Sequence, residues 1–235
     1  MYYNISMQNP IEATSQKSAW EFEIATGKGI MTSYVTNPSG EIEDLLDFAL
    51  ARNLGTGNRA IDLGCGEGRN AIWLAKNGFD VTAVDFAQPA LNELKKSIIG
   101  TQLEPHITIQ NVDLTEKLPF ADNSFDLILD VTADTSLNRS QLELFAAETS
   151  RIAKPNALLI CCAIAPDDGV LAALNPTGGS VTTAGLTDYF WSESQLKEAY
   201  SNWKILSTQH SRGSGMYFGK KYNRHYIWFL AQNKK

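Results

Sequence analysis

The chain has 235 residues, of which 43% are apolar and 20% charged, and no apolar run in it approaches the length of a membrane span. Its net charge of −6 works against broad nucleic-acid contact, which relies on a basic face to neutralise phosphates. Three cysteines, two of them the neighbours Cys161 and Cys162, and three histidines without ligand spacing supply neither a disulfide framework nor a zinc set, so no metal is expected.

The N-terminus, Met1-Tyr2-Tyr3-Asn4-Ile5-Ser6, lacks the basic region and apolar core of a signal peptide, and a cytoplasmic location is expected. Residues 1–40 are polar and weakly periodic, and are expected to form a cap or lid with short helical pieces. Glu41 to Arg52 reads as an amphipathic helix with acids early, Ser39 as its N-cap and Gly55 beyond its end. Strand and helix then alternate: strand 59–63, helix 68–76, strand 79–85, helix 88–99, strand 107–111, strand 125–131, helix 140–152 and strand 157–163. Such alternation predicts an α/β fold, a doubly wound and mostly parallel sheet with helices on both faces, over a core of residues 41–163.

Residues 164–191, with Pro166, Pro176 and Gly178-Gly179, read as a long insertion without regular structure, a second lid. Ser192 predicts a helix running to Tyr200. A strand from Trp203 to His210 follows, then a loop carrying Gly213, Gly215 and Gly219, then a last strand from Arg224 to Ala231. The whole is read as a single domain, 1–235, with 192–235 closing the sheet.

The densest signal is Asp62-Leu63-Gly64-Cys65-Gly66-Glu67-Gly68, between the apolar pair Ala60-Ile61 and the helix-like run from Arg69 to Lys76. Strand, tight turn and helix N-terminus in that order suit a carboxylate or phosphate, because glycine removes the Cβ and the helix end offers amides. A second apolar strand, Gly78 to Val84, ends in Asp85, where a carboxylate can take two ribose hydroxyls. The glycines run Gly-x-Gly-x-Gly, whereas a dinucleotide site wants Gly-x-Gly-x-x-Gly.

This set resembles the Rossmann-like, seven-stranded S-adenosylmethionine-dependent methyltransferases. The resemblance continues through His106 to Leu114, through Leu118-Pro119-Phe120 to Asp130, and through Arg151 to Ile160, with Asn156 where glycine is more usual. Arg69-Asn70 at the first helix most resembles the small-molecule and tellurite-resistance type. The resemblance implies S-adenosylmethionine as cofactor and a last strand antiparallel to the rest. It implies Asp62 toward the cofactor's ammonium, amides of Gly64, Cys65 and Gly66 along its methionine, and Asn70 toward its carboxylate. Asp85 would hold the ribose, Phe86 would pack on adenine, Asp113 and Leu114 would bind adenine, and Asp130 would face the crevice. Each has a plainer reading: Asp85 as an N-cap, Gly68 and Phe86 as packing, Asp113 as a loop acid, Asp130 as a buried structural acid.

Substrate residues are less marked. Tyr34, Asp134, Tyr189, Trp191, His210, Arg212 and Tyr217 are candidates, with His210 able to take a proton near neutral pH. The expected partner is a small-molecule methyl acceptor with an N, S or O nucleophile. No nucleic acid or membrane is expected, and a homodimer is left open. Amino-directed nucleic-acid methyltransferases usually carry Asn-Pro-Pro-aromatic after strand four, where this chain has Asp130-Val131-Thr132-Ala133. Two other classes stay open: an NAD-dependent oxidoreductase and a non-catalytic S-adenosylmethionine-binding protein.

Overall fold

The structure is a computed structural model that describes residues 16–26, 40–52, 54, 57–183, 185–217 and 219–235. Two helices lead, α1 (Gln16–Thr26) and α2 (Gly40–Leu50). The alternating core follows as β1 (Arg59–Leu63), α3 (Arg69–Lys76), β2 (Asp80–Asp85), α4 (Gln88–Ile98), β3 (Ile107–Asn111), β4 (Phe125–Val131), α5 (Arg139–Ile152) and β5 (Ala153–Ile164). Beyond it come α6 (Gly169–Leu174), β6 (Ser180–Thr183), β7 (Leu186–Tyr189), α7 (Glu193–Ala199), β8 (Trp203–Tyr217) and β9 (Lys220–Asn233).

Seven strands form one sheet in the order β3-β2-β1-β4-β5-β9-β8, and β6 and β7 pair as a separate hairpin. β1 runs parallel to β2 and β4, β2 to β3, and β4 to β5; β9 alone is reversed, antiparallel to both β5 and β8. Side chains alternate across the pleat, so each inner strand feeds two cores. Ile61, Leu63, Ile128, Leu159 and Cys161 pack with Phe145 of α5 and Tyr200 just beyond α7, whereas Ala60, Leu127, Leu129, Ile160 and Cys162 pack with residues of α2, α3 and α4. Each fully buried Leu or Ile contributes about 1.5–3 kcal/mol.

Helix boundaries follow local chemistry. Asn138 accepts from the Gln141 amide while the Gln141 side chain returns to the Asn138 amide, and Ser192 and Gln195 repeat the same box at α7. Three expectations need correcting. The insertion is not irregular: it holds α6 and the β6–β7 hairpin, with Val170, Val181 and Leu186 buried against Ala19 of α1. The glycine-bearing stretch after His210 is not a loop but the second half of β8, because register pairing with β9 continues to Tyr217↔Lys220. β5 begins earlier than its apolar run, at Ala153. Ser39 and Gly55 lie outside the described residues.

Candidate functional site

β1 and β4 are neighbours whose connections leave in opposite directions, and such a switch point opens a crevice at the carboxyl ends of the strands. The turn after β1 is built for close approach. Gly64 has φ +71°, and a Cβ there would meet the Ala133 Cβ at 2.5 Å, so glycine is obligatory where this turn passes the loop after β4. Gly68 serves packing: its Cβ would strike Leu94 of α4. The turn's amides are already used. Gly64 N–H and Cys65 N–H donate to Val84 O at 2.8 and 2.9 Å, and Gly66 N–H donates to Asp85 Oδ2 at 2.9 Å. The expectation of exposed glycine amides is therefore corrected, since the fold itself satisfies them and what the turn offers outward is bare backbone.

A cavity of about 360 Å³ lies over this turn. Gly64, Gly66, Asp85, Phe86, Asp113 and Leu114 line it, so six of the expected cofactor residues come together. Asp85 ends β2, and its second oxygen, Oδ1, accepts from Ala87 N–H at 2.8 Å. Each carboxylate oxygen keeps a further acceptor position. Burial pushes the Asp85 carboxyl up, against the Ala87 and Gly66 amides that hold it down. Ala87, not Asp85, is the N-cap residue of α4. Asp113 Oδ1 accepts from both the amide and the hydroxyl of Thr115 at 2.9 and 2.7 Å, which fixes the loop after β3.

Asp62, Cys65 and Asn70 are buried and do not line the cavity. Among the described residues, Asp62 Oδ2 and Asn70 Oδ1 have no hydrogen-bond partner, an uncommon state for buried polar atoms. Burial raises the Asp62 carboxyl to about 7, with the Ala71 amide opposing and Asp85 adding repulsion.

Asp130 does not face the crevice. It is fully buried, its Oδ1 accepts from Ala133 N–H at 3.0 Å, and its Oδ2 accepts from Tyr200 Oη at 3.3 Å. Asp134 is buried beside it, and the Cys161 Sγ lies 3.8 Å from Oδ2 of each carboxylate. Burial pushes both carboxyls up, Asp130 to about 7, and mutual repulsion adds to it on Asp134, so ionisation of the pair is disfavoured. Its structural work is to hold the turn from Thr132, at φ +66°, to Ser136, which floors the cavity.

Among the described residues, the remaining substrate candidates are not in the cavity wall. Tyr34 lies outside the described residues. His210 sits on β8 between Glu193 and His225, and Arg212 is paired with Asp167. Trp191 is buried, stacked on Tyr189 with ring centroids 6.0 Å apart, and its Nε1–H donates to Asp134 O. Tyr217 donates to Asp188 Oδ2 at 3.0 Å. Within the segment expected as a lid, the individual wall residues that sequence reasoning missed are Gln16, Lys17, Trp20 and Ile24 of α1, together with Thr135, Ser136, Leu137 and Gln141 around the start of α5. Gln16 fastens α1 down, donating through Nε2 to Ser136 O at 3.1 Å and Thr187 O at 3.0 Å. The only sequence sign of α1 is a short set of apolar residues, Ala19, Trp20 and Ile24, in a polar segment.

A family profile described as a methyltransferase domain matches residues 60–156. The probable S-adenosyl-L-methionine-dependent methyltransferase TehB of Haemophilus influenzae is 25% identical over 158 residues, covering 66% of this chain and 49% of TehB. The chain spans less than half the length of the curated relatives it matches. Among solved structures, the 1,6-didemethyltoxoflavin-N1-methyltransferase of Burkholderia thailandensis, with its substrate and S-adenosylhomocysteine bound, superposes with a TM-score of 0.68. It is 16% identical, over 93% of this chain and 87% of that one. The [4+2]-cyclase SpnF shares the fold at a TM-score of 0.65 and 16% identity, over 96% and 99% of the two chains. The segment that matches the profile contains Asp62 to Asp130, while α1, the insertion and the β8–β9 hairpin lie outside it.

Proposed function

We propose that the chain is an S-adenosylmethionine-dependent methyltransferase that acts on a small molecule. The single observation that carries this is the cavity at the β1/β4 switch point, which gathers Gly64, Gly66, Asp85, Phe86, Asp113 and Leu114 inside a segment of the methyltransferase family. The unpaired Asp62 Oδ2 fits a cofactor ammonium reached directly or through water, and Asn70 fits its carboxylate. Asp85 offers two oxygens to the ribose, Phe86 and Leu114 flank adenine, and Asp113 meets its amino group.

When bound, S-adenosylmethionine would supply an electrophilic sulfonium methyl. The chain's own residues position the two reactants and exclude water. Trp20, Ile24, Val131 and Leu137 give the wall apolar surface, while Gln16, Ser136 and Gln141 offer the acceptor polar handles. Among the described residues of the wall there is no His, Cys or Tyr, and Lys17 is the one cation. An acceptor that arrives as a competent N, S or O nucleophile suits that wall. The α1 part of the 1–40 segment and residues 164–191 act as lids, with Gln16 bridging them through Thr187 O.

The NAD-dependent reading is not favoured, because the family match and the glycine spacing both oppose it. Binding without methyl transfer remains the second reading, since SpnF has this fold and is a cyclase. Calorimetry should detect binding of S-adenosylmethionine and its demethylated product. A labelled-methyl screen over small amines, thiols, phenols, carboxylates and chalcogen oxyanions should give a methylated product. Absence of binding by folded protein would overturn the proposal; binding without any product would favour the second reading.

A further inference from the structure

Four side chains outside the cavity form an unbroken hydrogen-bonded series. Glu193 Oε1 at the start of α7 lies 2.7 Å from His210 Nε2 on β8. His210 Nδ1 lies 2.8 Å from His225 Nε2 on β9, and His225 Nδ1 bonds Asp167 Oδ1 in the turn after β5. Each of these three bonds needs one proton. The carboxylates bring none: Lys197 and His210 hold Glu193 below the usual carboxylate range, and for Asp167 burial, the largest single effect, is outweighed by Arg212 and His225 together, which hold it below that range too. All three protons must therefore sit on the four ring nitrogens. Two neutral imidazoles carry only two.

We propose that His210 and His225 hold one extra shared proton and act as a one-proton latch that fastens the base of the 164–191 insertion and the start of α7 to the β8–β9 hairpin. The charges facing the pair are Asp167 and Asp168 from the turn after β5, Glu193 with its partner Lys197 from α7, Arg212 from β8 and Arg224 from β9. Three of these are anions, Asp168 being buried with its Oδ2 on Arg224 Nε and the His225 amide. Three cations, Lys197, Arg212 and Arg224, balance them at longer range, but the groups bonded directly to the outer ring nitrogens are both carboxylates, Glu193 and Asp167, and these favour an imidazolium. Loss of its proton leaves two acceptor lone pairs facing each other at one of the three contacts, and that contact opens. The latch is closed while the extra proton is held and opens when it is lost. This inference stands independently of methyl transfer.

The test counts protons on the full-length, 15N-labelled chain by long-range 1H–15N correlation of the imidazoles, with His106, which pairs with Asp80, as an internal comparison. Near a pH of about 6, His210 and His225 should show three N–H protons between them; near about 9, two. Over the same range, exchange protection of the Asp168, Val170 and Trp191 amides should fall by about tenfold beyond intrinsic base catalysis, the scale of one net hydrogen bond. Glu193→Gln is the discriminating variant. Its amide can donate to His210 Nε2, so two ring protons complete all three bonds, and both the count and the protection should become independent of pH. Two ring protons in the wild type near pH 6, or an unchanged pH response in Glu193→Gln, would overturn the latch.

Discussion

At the scale of single residues, Asp85 carries two kinds of work. Its oxygens already take the Gly66 and Ala87 amides, which ties the turn after β1 to the start of α4, and its remaining acceptor positions are the proposed ribose site. Asp85→Ala should weaken S-adenosylmethionine binding by about 1.5–3 kcal/mol, the scale of charged hydrogen bonds. Titration calorimetry measures this directly, and an unchanged affinity would place the ribose elsewhere. Gly64, Gly66, Asp85 and Asp113 were legible in the sequence because their signal is local: a glycine turn after a strand, and acids at strand ends. Asp130 was not legible. Whether a strand-end acid faces a crevice or the core depends on partners such as Tyr200 and Cys161, which are remote in the chain. His210 likewise read as a loop base, while its neighbours Glu193 and His225 come together only through the register of β8 and β9.

At the scale of elements, the inner strands and the helices between them were legible because apolar runs and helical periodicity report burial on one or both faces. β3 and β4 fall where the sequence puts them, and α5 starts one residue early at its Asn138 capping box. β8 was cut short because Gly213 and Gly215 weaken strand propensity and because an edge strand, exposed on one side, shows little apolar alternation. Its pairing with β9 outweighs that local preference. α1 lacked a clear stripe, and a side chain rather than periodicity holds it to the cavity. Gln16→Ala removes both of its bonds to backbone carbonyls. Amide exchange in α1 should quicken by about tenfold, while the core strands stay protected, and cofactor affinity should fall with it. Equal exchange in the two proteins would show that α1 is held by Ala19 and its apolar neighbours alone.

For the whole molecule, the buried acids set the response to pH. Burial raises Asp62 and Asp130 to about 7 and Asp188 to about 6, from an ordinary 3.8. The folded chain keeps these protons after the unfolded chain has released them. Their contribution is therefore most favourable below about pH 4 and is lost as pH rises to about 7. Glu148 works the other way: Arg151 holds it down, so its contribution exists above about pH 4.5 and is lost in acid. Thermal unfolding should give a higher Tm near pH 5–6 than near pH 8, in the cofactor-free protein, to about the extent that these buried carboxyls dominate. A Tm that climbs steadily to pH 8 would mean that they ionise at no cost.

The sheet order also has a consequence in time. β9, reversed between β5 and β8, follows both of them in the chain. Until a ribosome has delivered it, the outer edge of β5 has no neighbour, and that edge belongs to the uninterrupted apolar run Ala157 to Ile164. Unpaired apolar edges recruit strands from other chains. Synthesis that stalls after β8 leaves a nearly complete domain with its most adhesive edge uncovered. The 14 residues of β9 therefore decide whether a nascent chain finishes as one folded molecule or joins its neighbours.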